Sequence, residues 1–151
     1  MKLRFFTVVL FSASVCGCAT VQYGSRDVEG DLHRLQPVAG KASLYVCRES
    51  AAFVGAGNRT TAFVDNKNIG TLKPGNFAHT VVESGSHDIH IDRSPGGKSG
   101  TLTIDTKAND VPIVWVGVTG HGWGVLTVDE FEDRAEAERC VQAAKYALPT
   151  E

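Results

Sequence analysis

From residue 41 onward, apolar and polar positions alternate in short runs, each bounded by Gly, Pro, Asn, Asp or Ser. That period of two predicts β-strands with one buried face. In residues 42–48 (ASLYVCR), Leu44 and Val46 fall on one face, Tyr45 and Cys47 on the other. Residues 60–64 and 69–72 flank Asp65-Asn66-Lys67-Asn68 and predict a hairpin, because Asn66 or Asn68 tolerates the left-handed backbone of a tight turn. Residues 77–82 and 87–91 predict a second hairpin around Glu83-Ser84-Gly85-Ser86. Pro95-Gly96-Gly97 breaks the chain before residues 101–106, where Leu102 and Ile104 face inward. Residues 113–118 (IVWVGV) are apolar on both faces and predict a central strand. Residues 123–128 follow Gly120-His121-Gly122 as a further strand.

The period changes at both ends. Over residues 130–148, Ala137, Cys140, Val141, Ala144 and Leu148 recur at helical spacing, with charges opposite and Pro149 as the stop. Residues 19–39 are polar, aperiodic and broken by Gly24, Gly30 and Pro37, which predicts a tether with at most a short helix over 27–35. The expected fold class is therefore mainly β: a β-sandwich of about eight short strands with one C-terminal amphipathic helix packed on it.

The first residues follow a different pattern again. Lys2 and Arg4 precede an apolar stretch, residues 5–14, of secretory-signal length and too short to span a bilayer. Val15-Cys16-Gly17-Cys18 then resembles the bacterial lipoprotein lipobox, an aliphatic residue and small residues before the modified Cys. Cys16 does not fit as the acceptor, because Val15 stands where a small residue is required. Cleavage before Cys18 leaves its thiol for a diacylglycerol, and two or more acyl chains anchor a protein stably where one does not. The other course is an ordinary signal cleaved after Gly17-Cys18-Ala19, releasing a soluble periplasmic protein. In Gram-negative lipoproteins an Asp after the lipidated Cys retains the protein at the inner membrane; Ala19 stands there, so the resemblance implies the outer membrane. The expected organisation is a signal peptide over 1–17, a lipid-anchored tether over 18–40, a β-sandwich over 41–128 and a helix over 129–148.

Charge narrows the partners. Without residues 1–17 the chain holds 13 basic residues against 17 acidic ones, a net −4. That balance argues against nucleic acid and leaves the membrane to be reached through the lipid anchor. An envelope protein or a glycan is the remaining class of partner.

Three segments carry a family resemblance: KASLYVCRES (41–50), FVGAGNRTTAFVDNKNIGTLKPGNF (53–77) and VESGSHDIHI (82–91). Together they resemble domain-of-unknown-function family 2846, whose members are mostly bacterial lipoproteins, and the middle hairpin is similar to the PEGA module, a small β-sandwich. The resemblance extends to about residue 127, a span of domain scale. Asn66 stands where the family's turn Gly is usual, and Glu83-Ser84 replaces a Pro before the hairpin Gly. The resemblance implies a PEGA-like or Ig-like sandwich and supplies no catalytic group, metal or cofactor.

Cys47 and Cys140 remain once the leader is processed, an even pair and so a disulfide candidate in an oxidising compartment. Two buried thiols that never meet are the alternative. His87 and His90, three apart in a strand, point to opposite faces and cannot share an ion, whereas Asp88, His90 and Asp92 share one face. A solvated polar face is the simpler account of them. Ser50, Ser84 and Ser99 lie in turn contexts without a G-x-S-x-G elbow, and Gly55-Ala56-Gly57-Asn58-Arg59 lacks the Lys of a phosphate loop. His121 and Trp123, in Gly-His-Gly-Trp-Gly, are the candidate partner-binding residues, since an exposed Trp stacks on a sugar or a protein surface. The functional expectation is a lipid-anchored, non-catalytic binding or structural module of the envelope. The alternative is a periplasmic hydrolase or metal-dependent enzyme using His90 and His121.

Overall fold

The computed structural model describes residues 20–50, 59–93, 97–119 and 125–150. In chain order the elements are α1 (Arg26–Leu32), β1 (Ala42–Arg48), β2 (Thr60–Val64), β3 (Lys67–Leu72), β4 (Asn76–Val82), β5 (Gly85–Arg93), β6 (Gly97–Lys98), β7 (Leu102–Thr106), β8 (Ile113–Thr119), β9 (Val125–Glu130), α2 (Arg134–Ala143) and β10 (Lys145–Tyr146). The strands form two sheets, β10-β4-β1-β8-β9 and β3-β2-β5-β6, with β7 also paired to β5. The fold is mainly β and sandwich-like, with a C-terminal helix against it.

The alternation in β1 explains a third layer. Leu44 and Val46 face the second sheet and join Ile89, Ile91, Val114 and Val116 in the inter-sheet core. Tyr45 and Cys47 face the other way, where Phe77, Ile113 and residues of α2 cover them. The strand at 113–118 is interior as expected, paired on both sides by β1 and β9, while β1, with all seven residues buried, takes the middle place of the sheet. Apolar content alone does not distinguish the two, because Ser43 and Arg48 interrupt β1 yet are satisfied inside.

The β2–β3 hairpin forms as expected, closed by Asp65 and Asn66, both at positive φ (49° and 64°). Two consecutive left-handed residues are what a two-residue turn needs to match strand twist. The second expected hairpin is absent as a pair. β4 pairs with β1 and β10 in the first sheet, whereas β5 pairs with β2, β6 and β7 in the second, so residues 83–84 cross between sheets. Local alternation fixes which face of a strand is buried but not which strand lies beside it.

Two boundaries also move. The helix expected over 129–148 is α2 alone: residues 129–130 belong to β9, Asp133 caps the start, and Ala144 is already extended. The chain then runs as β10 parallel to β4, placing Tyr146 against Phe77 with ring centroids 5.4 Å apart. The expected tether is largely part of the domain. Val21 is buried in the inter-sheet core, Tyr23 bridges Ala147, and the Leu148 amide donates to the Gln22 carbonyl at 2.8 Å. Ser25 caps α1 by accepting from the Val28 amide. Beyond α1, His33 Nε2 lies 2.9 Å from the Ala144 carbonyl and the Tyr45 hydroxyl donates to the Leu32 carbonyl.

Candidate functional site

Strand direction sorts the molecule into two ends. β1 and β8 are parallel, so Arg48 and Thr119 finish at the same end, and β9 begins there at Val125. Arg48 Nη1 donates to Thr60 Oγ1 at 3.2 Å and to the Leu72 carbonyl at 3.4 Å, which brings the start of β2 and the end of β3 to it. Register with β2 places Arg93 there too. This end is therefore where the strands flanking residues 51–58, 94–96 and 120–124 terminate. His121 and Trp123 lie outside the described residues, as does Cys18.

The disulfide Cys47–Cys140 closes this end against α2, across 93 positions of sequence, with Cα atoms 6.3 Å apart. Cys47 stands on β1 and Cys140 on the inner stripe of α2, beside buried Ala137 and Val141. Beside the bond opens a cleft of about 320 Å³, lined by Arg48, Glu49, Ser50, Gly75, Glu136 and Arg139 among others. Arg48 is only 3% exposed, and burial together with the charge of Arg93 lowers its pKa from the usual arginine value. Trp115 donates through Nε1 to Glu49 Oε2 at 3.1 Å, and its ring lies so close over Gly117 that a Cβ there would sit 1.9 Å from it. The lining thus carries charges of both signs, and the Trp115 indole is joined to one of them, Glu49.

Sequence reasoning missed one serine–histidine contact. Ser43 Oγ lies 2.9 Å from His79 Nε2, with the His79 ring 4.7 Å from that of Tyr45. Ser43 comes from β1 and His79 from β4, so only knowledge of that strand pair reveals it. Burial lowers the His79 pKa to about 4, so the ring is neutral near pH 7. Ser43 is 1% exposed, however, and a nucleophile needs access to its substrate. The contact ties β1 to β4.

The other histidines among the described residues are likewise engaged. His90 is 8% exposed and stacks on Phe63, planes 3° apart and centroids at 4.9 Å. Its Nε2 stands 3.8 Å from Asp92 Oδ1, while Asp88 accepts the Thr103 hydroxyl at 2.7 Å. Asp88, His90 and Asp92 share a face as expected, and among the described residues no group of three His, Cys, Asp or Glu side chains is placed to hold a metal. His87 lies at the opposite end of the molecule, with Nδ1 2.7 Å from Asp65 Oδ2 and Nε2 2.9 Å from the Glu83 carbonyl. Burial works against its charge, but the Asp65 hydrogen bond, the Glu83 carbonyl and the Asp65 charge raise its pKa. No family model, no curated protein and no solved structure matches the chain.

Proposed function

We propose that the chain is an exported lipoprotein, held at the outer membrane by acyl chains on Cys18, whose sandwich serves as a non-catalytic binding or structural module of the cell envelope. The observation that carries this reading is the Cys47–Cys140 bond. Structural disulfides persist in oxidising compartments and are rare where glutathione and thioredoxin keep thiols reduced. That supports export, and the leader with Val15-Cys16-Gly17-Cys18 supplies both the route and the anchor. The resemblance to family 2846, from residue 41 to about residue 127, belongs to the same reading. Binding, where it occurs, is assigned to the end bearing the disulfide cleft, with His121 and Trp123 close in sequence to Thr119 and Val125. The partner is an envelope protein or glycan. Catalysis through His90 gains no support from a ring stacked on Phe63 and 8% exposed.

Metabolic labelling with palmitate in a bacterial host tests the anchor. Wild type and Cys16→Ser are expected to incorporate label, and Cys18→Ser to lose it. Label retained by Cys18→Ser overturns the assignment.

A further inference from the structure

The described chain enters its own core almost at once. Val21 is 9% exposed and packs with Ala147 in the inter-sheet cluster, and Cys18 stands three positions before it. An extended chain spans at most ~3.6 Å per residue, so Cys18 lies within about 11 Å of Val21. A seven-residue strand such as β1 is about 23 Å long. The reach of the attachment is therefore about half the length of β1.

The end from which this segment leaves is fixed by register. Tyr23 bridges Ala147 antiparallel, the Gly24 amide donates to the Tyr146 carbonyl and the Leu148 amide to the Gln22 carbonyl, so the chain followed backwards from residue 24 to 20 advances alongside residues 146 to 150. Those residues lie beside β3: the Thr71 amide donates to the Leu148 carbonyl, and Asn68 Nδ2 donates to the Thr150 carbonyl at 3.0 Å. Thr20 thus points to the end holding the Asp65-Asn66 turn, Lys67 and the 83–84 crossover. Lys41 and Glu83 pair there at 2.6 Å, and His87 is joined to Asp65. Arg48, Lys98, Thr119, Val125 and the disulfide cleft lie at the other end.

We infer that the Asp65–Lys67 end is a membrane-contact surface, held against lipid headgroups by its short attachment, and that the disulfide cleft and its neighbouring strand ends are presented away from the bilayer. This rests on acylation of Cys18. The partner of the contact surface is the lipid surface itself, and covalent reach, not charge, selects it: the acids Asp65 and Glu83 offset the bases Lys41 and Lys67 there.

The acylated, full-length protein in phosphatidylethanolamine–phosphatidylglycerol vesicles tests it. A short-range donor dye is placed by Lys67→Cys at the near end or by Lys98→Cys at the far end, both exposed lysines of the wild type. Headgroup-labelled acceptor lipid is expected to quench the Lys67→Cys donor several-fold more than the Lys98→Cys donor. A run of twenty Gly and Ser residues inserted between Ala19 and Thr20 is expected to remove the difference. Equal or reversed quenching in vesicle-bound protein overturns the orientation and leaves the anchor standing, as does a difference that survives the insertion. Failure of the wild type to stay with the vesicles overturns both.

Discussion

His79 and His87 give the molecule two opposed pH dependences. His79 is held at a pKa of about 4 by burial, against 6.5 for the ordinary side chain. Between those values the unfolded chain binds more protons than the folded one, so stability falls as pH drops from about 6.5 towards 4. His87 is shifted upward, so above 6.5 the folded chain holds the extra proton and stability falls as pH rises through the folded pKa. Burial disfavours the Asp65 charge, but the His87 hydrogen bond, the Asp88 amide and the His87 charge lower its pKa overall, which keeps the pair intact in mild acid. From these groups denaturant midpoints are expected to peak near pH 6.5. His79→Gln is expected to flatten the acid limb, and Asp65→Asn to lower the His87 pKa read by NMR titration. An acid limb unchanged in His79→Gln would assign it to other groups.

Gly70 marks the place where three elements meet. A Cβ there would stand 2.7 Å from Ala78 Cβ on β4 and 2.8 Å from the Ala147 carbonyl oxygen beyond β10. Gly70→Ala is therefore expected to cost roughly 1–3 kcal/mol by overpacking, measured by chemical denaturation. An unchanged midpoint would mean that the C-terminal segment yields freely. The sequence carried part of this geometry. Alternation identified the faces of β1, and the stretch Asp65–Asn68 located the β2–β3 turn, with Asn66 of the two candidate asparagines at positive φ, because both signals are local. The separation of β4 from β5, the middle place of β1 in its sheet and the end of α2 at Ala143 are set by pairing and packing across the sheets. Ser43–His79 and the Trp115–Glu49 contact were hidden for the same reason, since each joins residues from different elements. Cys47 and Cys140 were legible as a pair because few cysteines remain to choose from, while their bond is a matter of three-dimensional position.

At the scale of the whole molecule, the N-terminal segment and the disulfide hold the third layer to the sandwich. A chain beginning at residue 36 loses buried Val21, the Leu148–Gln22 and Gly24–Tyr146 backbone bonds, and the Glu29 carboxylate that accepts from the Tyr146 amide. Burial of one valine and hydrogen bonds of ordinary net strength sum to a loss of roughly 3–6 kcal/mol, measured by denaturation. Unchanged stability would restore the tether reading. The Cys47–Cys140 loop of 93 positions is near the hundred-residue case, for which chain entropy gives about 4.7 kcal/mol. A Cys47→Ala, Cys140→Ala double variant is expected to lose ~2–5 kcal/mol, the range for native disulfides in small secreted domains. Export, anchoring and the locked sandwich are joined most directly by one intact-mass measurement on protein purified from the membrane fraction of a bacterial host without reduction. The expected species begins at Cys18, carries a diacylglycerol and an amide-linked acyl chain, and is lighter than its reduced form by the hydrogens that one disulfide removes. A chain that retains residues 1–17, or that begins beyond Cys18 without lipid, contradicts the account.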